Sequence, residues 1–269
     1  MSNWQFEEHA LVAAFDVLGF KSMMNDWANI QTLSGRVSSL ISLANLLAQE
    51  PSRFNIDGIQ SRASIQVAQA SDTFVIYCPY KSSADICQFL WNIQQILFHA
   101  IRERFPLRGA ITIGSVAASP VEHLFLGPAV IEALEYERLA EWAGAIICPK
   151  LDEELRRRSL IDHLGTLLVN YKVPYKENLK SHPPEHLLCL NWLADGPNYI
   201  NPEFVSTKFP LCDSLTKEGL IALQKIENTR SFMEDVLRLD RANGPENRKV
   251  VLKPLGNGMN SISFVLEDG

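Results

Sequence analysis

No run in this 269-residue sequence approaches the roughly 20 apolar residues that a membrane-spanning helix requires. The N-terminal stretch is acidic and polar rather than basic and then apolar. It predicts a chain neither exported nor inserted by its own sequence, and so cytoplasmic. Cysteine is sparse: the five, at positions 78, 87, 148, 189 and 212, form no Cys-x-x-Cys pair. Neither a zinc site nor a disulfide framework is indicated, and a reducing compartment fits. There is no basic excess either. Lys and Arg number 25 against 31 Asp and Glu, a formal net charge of −6, which argues against non-specific nucleic-acid binding but leaves room for a local basic pocket. Internal repeats and low-complexity tracts are absent. Among the histidines only His182 and His186 stand at ligand spacing, in a proline-rich loop, and they read as surface residues.

What the chain does have is apolar content for a core, 46% of residues, enough for one large domain or a core with an extension. Its most informative stretch is Phe15-Asp16-Val17-Leu18-Gly19-Phe20. The short continuous apolar run Ala10 to Phe15 predicts a central strand buried on both faces, with Asp16 at or near its end. A carboxylate there is costly unless neutralised, and a divalent cation is a common neutraliser. Gly19 lets the backbone turn its N–H groups toward an anion ahead of a helix beginning near Lys21 and Ser22. A solvated strand-end aspartate followed by a turn glycine is the alternative reading of these six residues.

A second acidic tip follows. Ser64 to Gln69 and Thr73 to Tyr77 read as strands joined by the tight turn Ala70-Ser71-Asp72, a hairpin with Asp72 at its tip. If it lies beside the first strand, Asp16 and Asp72 can share one or two Mg²⁺ or Mn²⁺ ions against a triphosphate. The third landmark is the strand Leu107-Arg108-Gly109-Ala110-Ile111-Thr112-Ile113-Gly114, preceded by an amphipathic segment over Ser83 to Phe105 whose apolar side carries Leu90, Trp91, Ile93, Leu97, Phe98 and Ile101. Helices are also expected at Leu33 to Gln49, Pro128 to Trp142 and Lys217 to Leu239. Further strands are expected at Ala145 to Cys148, Leu167 to Val173, Leu187 to Trp192, Val250 to Leu252 and Ser261 to Leu266, and loops at Asn55 to Gln60 and Asn178 to Glu185. The order predicts an α+β fold: a ferredoxin-like βαββαβ core over residues 1–150 with helices on one face, and a C-terminal α/β extension over 151–269 packed on it.

In this order and spacing, over roughly residues 8 to 149, the chain resembles the class III nucleotidyl cyclases. Their pattern is an Asp-(Ile/Val)-x-Gly-Phe strand end, a Gly-Asp hairpin and an Arg-x-Gly-x-x-x-Gly strand. The first motif matches in full. The second keeps Asp72 with Ser71 for the glycine, and the third keeps Arg108 and Gly114 with Ala110 for the middle glycine. The resemblance implies two Mg²⁺ or Mn²⁺ ions on Asp16 and Asp72 and a phosphate cradle of N–H groups from Leu18, Gly19, Phe20 and Lys21. It also implies a supporting or catalytic Arg108, a nucleoside triphosphate substrate, and a homodimer whose active sites are shared between subunits. It implies no nucleic-acid partner.

The departures are equally specific. Where purine cyclases carry a base-reading lysine and an aspartate, threonine or cysteine, this chain has Ala68 and Leu124. The asparagine and arginine of the catalytic helix align with Ile131 and Glu135, and Arg138 stands one turn on as a substitute arginine. With the tail segments Tyr171 to Lys176 and Leu190-Asn191-Trp192, the chain looks like the bacterial pyrimidine cyclases of Pycsar antiphage defence. Such an enzyme would make cyclic UMP or cyclic CMP for a separate effector protein. A catalytically inactive cyclase-like module, or a purine cyclase with a rebuilt base pocket, is the alternative. Lys176 could reach a phosphate or be merely solvated. Arg62, Gln66 and Gln69 could read a pyrimidine edge or form the polar face of a strand. The run Asp152 to Arg158 reads as a solvated helix face, and Gly256-Asn257-Gly258 as a hairpin turn.

Overall fold

Strand β1 (Gln5–Val17) is the axis of the molecule, and Ala10 to Phe15 are fully buried within it. Its side chains alternate between two cores. Leu11, Ala13, Phe15 and Val17 enter one cluster, while Ala10, Val12 and Ala14 enter another on the opposite face, which is why the apolar run is unbroken. The computed structural model describes residues 4–24, 27–119, 121–122, 124–177, 183–194, 217–242, 249–255 and 259–265.

After β1 come a single helical turn α1 (Phe20–Met23) and helix α2 (Trp27–Leu47), then the short pair β2 (Asn55–Ile56) and β3 (Ile59–Gln60). The hairpin β4 (Gln66–Ala70) and β5 (Thr73–Pro79) leads to helix α3 (Ser83–Arg102) and the long strand β6 (Leu107–Ser119). The order β4-β5-β1-β6 in the sheet is that of a ferredoxin-like βαββαβ unit. β7 (Leu124–Leu126) pairs with β6, and helix α4 (Pro128–Leu139) leads to β8 (Gly144–Ile147), parallel to β6. Helices α5 (Pro149–Arg157) and α6 (Ile161–Leu164) precede β9 (Leu168–Lys172) and β10 (His186–Leu190), which extend the same sheet in the order β6-β8-β10-β9. Helix α7 (Lys217–Ala242) follows, and β11 (Lys249–Leu255) pairs with β12 (Met259–Val265). Among the described residues no helix is long and apolar enough to cross a membrane.

Several expectations need correction. Helices do not keep to one face: α2 and α3 pack on one side, whereas Ala129, Val130 and Ala133 of α4 join Ala10, Val12 and Ala14 on the other. The stretch Asn55 to Gln60 is a miniature hairpin, because Asp57 and Gly58 both take positive φ (54° and 76°), as a tight primed turn demands. α2 begins earlier than expected, at Trp27. α4 ends at Leu139 rather than Trp142, because Ala140 turns extended and the Glu141 N–H leaves the helix to donate to Pro174 O (2.8 Å). β7 was not foreseen. The turn at 256–258, part of the loop at 178–185 and Leu266 lie outside the described residues.

α3 starts on a capping box. The Asp85 N–H donates to Ser82 Oγ, while the Asp85 carboxylate accepts from the Ser82 and Lys81 N–H groups (2.9 and 3.0 Å), the Ser61 hydroxyl (2.8 Å) and the Arg62 N–H (2.9 Å). Burial alone would push this carboxyl up, but the four donors together hold it below the usual range. The carboxylate therefore ties the segment before β4 to α3. Asp85→Ala is expected to cost about 3 kcal/mol, read as a lowered midpoint in urea. Because the folded-state value is depressed, the contribution is fully present above the unfolded value of 3.8 and lost as pH falls through the lower folded one. The gap between wild type and variant should narrow in acid.

Candidate active site at the acidic end of β1

Asp16 lies directly opposite Thr73 of β5 on one side and Arg108 of β6 on the other. The Val17 N–H donates to Asp72 O (3.1 Å), which draws the tip of the β4–β5 hairpin against the end of β1. The Asp72 carboxyl comes within hydrogen-bonding reach of Asp16. Partial burial pushes the Asp16 carboxyl above its ordinary value, Arg108 pulls it back, and the like charge of Asp72 pushes it up again. At the turn, Ser71 takes φ 58°, the conformation for which the resembled hairpin uses glycine, at a cost of about 1 kcal/mol. The Gln69 amide steadies it by donating to Ser71 O (2.6 Å).

Beyond Val17 the chain turns at Gly19 (φ 78°, ψ 12°) into the four residues of α1. The Leu18 N–H donates to Pro106 O (3.0 Å), so it is committed to the fold. Phe20 and Lys21 open the helical turn, where N–H groups have no acceptor within the helix, and the Lys21 side chain is exposed.

Arg108 is a buried hub rather than a free cation. Its Nη2 donates to Asp16 Oδ2 and its Nε to Glu137 Oε1, both at 2.7 Å, and its Nη1 to Ala140 O at 3.1 Å. Glu137, on α4, is 4% exposed, and burial raises its carboxyl more than Arg108 lowers it. Glu137 escaped the sequence reading. Its signal was spacing: Ala129, Ala133 and Glu137 recur every four residues on the core face of α4, and a carboxylate there requires a cation.

The Asp16 and Glu137 carboxylates thus share one guanidinium, and the Asp72 carboxylate stands beside Asp16 without a cation of its own in that network, an excess of negative charge at a half-buried edge. Two adjacent hard oxygen donors fit one or two divalent cations of the Mg²⁺ or Mn²⁺ type, which would cancel that excess. Among the described residues no cluster of three or more His, Cys, Asp or Glu is placed to hold a metal ion, so the candidate site rests on the Asp16 and Asp72 pair.

Other candidates fall in distinct places. Ile131, Glu135 and Arg138 are all exposed along the outer face of α4, and Arg138 makes no hydrogen bond with Asp16 or Asp72. Lys176 comes to the acidic end through its backbone. Its N–H donates to Leu139 O (3.0 Å), and Tyr175 bridges Ala140. Partial burial and the neighbouring Arg108 both lower the pKa of its ammonium. On the sheet face carrying Asp16, Ala14, Val75 and Ala68 lie side by side and form an apolar strip leading away from the carboxylates. Gln66 and Tyr77 sit opposite each other one row further, with Gln66 Oε1 and Tyr77 Oη buried and unpartnered within the described structure. Arg62 is exposed, and Gln69 serves the turn. Leu124 is half exposed on β7.

No family model matches the chain, and no curated protein matches it. Solved structures do. Among them are the catalytic core of a rhodopsin-guanylyl cyclase with converted specificity in complex with ATPalphaS (11% identity, 70% of this chain and 97% of that one, TM-score 0.49) and the adenylyl cyclase CyaB from P. aeruginosa (13%, 70% and 95%, 0.47). A third is the dimeric guanylyl cyclase domain of the RhoGC fusion protein from the aquatic fungus Blastocladiella emersonii (11%, 70% and 96%, 0.47). Each is a cyclase. Likeness at this level says nothing about activity, and the fold rests on the strand order itself.

Proposed function

We propose that this chain is a metal-dependent nucleotidyl cyclase that converts a pyrimidine nucleoside triphosphate, UTP ahead of CTP, to the 3′,5′-cyclic monophosphate and pyrophosphate. The observation that carries the reading is the meeting of Asp16 and Asp72 at the end of β1, beside a glycine turn and with Arg108 paired to Asp16. Asp16 and Asp72 would hold the ions; when bound, a divalent cation acidifies the ribose 3′-hydroxyl and offsets the charge of the triphosphate. Arg108 fixes the Asp16 carboxylate from the buried side. The Phe20 and Lys21 N–H groups and the Lys21 and Lys176 ammoniums would orient phosphate oxygens there, a role supported by the exposure of Lys21 and by the backbone bond of Lys176 to Leu139. The 3′-oxygen then bonds to the α-phosphorus, its proton leaves to water, and the bond to the bridging oxygen breaks as pyrophosphate departs in line.

Two further parts of the proposal rest on exposed residues. Phe6 and Leu126 flank Ala117 across the sheet at 79% and 58% exposure, with Leu124 beside them, an apolar row suited to a second copy of the chain. In such a homodimer the outward Arg138 would serve the partner's site. Activity should then fall faster than linearly on dilution through the dissociation range, whereas full activity of a sedimenting monomer would remove the homodimer. Ala68 and Leu124 offer no polar contact to a purine edge, which supports pyrimidine use and, with it, a signal molecule read by a separate effector in antiviral defence. In an equimolar mixture of four ribonucleoside triphosphates with Mn²⁺, cyclic UMP should dominate. Dominant cyclic AMP or cyclic GMP would favour a purine cyclase with a rebuilt pocket. The second reading, a cyclase-like module without turnover, is favoured by the exposed Ile131 and Glu135 where the resembled catalytic helix carries asparagine and arginine.

A further inference from the structure

The connection Ala140 to Ala143 between α4 and β8 is buried, with Ala140, Trp142 and Ala143 at 0% exposure. Its backbone polar groups must therefore find partners inside the protein. Two of them are side chains of α7. The Ala143 N–H donates to Thr229 Oγ1 (2.8 Å), and that hydroxyl spends its own proton on Lys225 O one turn back (2.7 Å), so its lone pair is aimed at Ala143. Thr229 itself is fully buried. Asn228 Nδ2 donates to Glu141 O (2.7 Å), and its amide is oriented by Gln224 Nε2, which donates to Asn228 Oδ1 (3.0 Å). Phe232, one turn on, meets the Trp142 ring edge-on at 4.5 Å and Tyr171 at 4.9 Å.

The same connection meets Arg108 at both of its ends. Ala140 O accepts from Arg108 Nη1, and Gly144, the first residue of β8, pairs directly with Arg108 of β6. Trp142 lies so close over Gly144 that a Cβ there would stand 2.8 Å from its ring. Movement of α7 against this segment therefore displaces the carbonyl and the strand end that hold the guanidinium, and the guanidinium holds Asp16.

We infer that Thr229 and Asn228 are positioning residues for the candidate active site, acting from the C-terminal helix through the Ala140–Ala143 connection and Arg108. The catalytic consequence rests on the cyclase reading; the mechanical link does not. The test uses the full chain and reads the ¹⁵N–H signal of Arg108 Nε, assigned by its loss in Arg108→Lys. Thr229→Val removes the acceptor at constant shape, Thr229→Ser keeps it, and Asn228→Ala removes the second contact. In folded Thr229→Val and Asn228→Ala, hydrogen exchange at Arg108 Nε should quicken about tenfold, and kcat should fall about tenfold with KM within twofold, the size of effect expected of groups that orient a metal-facing shell. Thr229→Ser should match wild type in both. An unmoved Arg108 signal, an unmoved kcat, or a Thr229→Ser as damaged as Thr229→Val would overturn the inference. If Thr229→Val does not fold, Asn228→Ala carries the same comparison. If wild type forms no cyclic nucleotide, the cyclase reading falls, and the Arg108 signal alone decides the link.

Discussion

Asp72→Ala is expected to fold as wild type does and to form no cyclic nucleotide, a loss of at least about 100-fold, because its carboxylate makes up half of the pair proposed to hold the ions. Asp16→Asn should be equally inactive yet no less stable. The fold raises the Asp16 carboxyl above its unfolded value of 3.8, so its contribution to stability is fully present below that value and lost as pH rises through the folded one. At neutral pH the charged form is therefore a net burden that asparagine removes. Thermal melts without metal should place Asp16→Asn at or above wild type. Mn²⁺ with a triphosphate should raise the wild-type midpoint and leave that of Asp16→Asn in place. An active Asp16→Asn or Asp72→Ala would end the site assignment.

Arg108→Met is expected to be the most destabilising single change at the site. It strands Glu137, whose side chain is 5% exposed, as an unpaired charge, at about 3–5 kcal/mol. The double change Arg108→Met with Glu137→Leu should recover much of that, since the one carboxylate then left without its arginine, Asp16, is 22% exposed at its side chain and keeps contact with solvent. The pH dependence follows from the direction of the Glu137 shift. Its carboxyl is already raised by burial and would rise further without the arginine, so the penalty is full above that value and shrinks as pH falls through it. Urea melts at pH 8 and pH 5 should show the larger loss at pH 8. Equal losses at both would mean that Glu137 finds another partner.

The parts of this molecule legible in its sequence were those governed by local chemistry. An unbroken apolar run ending in Asp16 predicts a central strand, and the turn Ala70-Ser71-Asp72 predicts a hairpin with Asp72 at its tip. The pairing of that hairpin with β1, which brings Asp72 beside Asp16, is tertiary and has no local signature. Glycine at 109 is explained only by the fold: a Cβ there would lie 2.1 Å from the Phe15 ring opposite, a cross-strand fact with no local signature. The face taken by α4 was illegible for a similar reason. β1 is apolar on both sides, so its pattern does not say which side a later helix covers. Arg108 was placed correctly on its strand, but its three partners come from β1, from α4 and from the residue after α4, and no spacing rule joins those. Lys176 stood out as a lone cation. What sets it at the acidic end is a backbone bond to Leu139, which belongs to tertiary pairing.

The most direct test is to incubate the purified chain with UTP and Mn²⁺ and to quantify both products against the Asp72→Ala protein. Cyclic UMP and pyrophosphate should appear in equal amounts with wild type, and neither should appear with the variant. Release of orthophosphate with UDP, or of linear UMP, or no product from any ribonucleoside triphosphate, would contradict a cyclase built on Asp16 and Asp72.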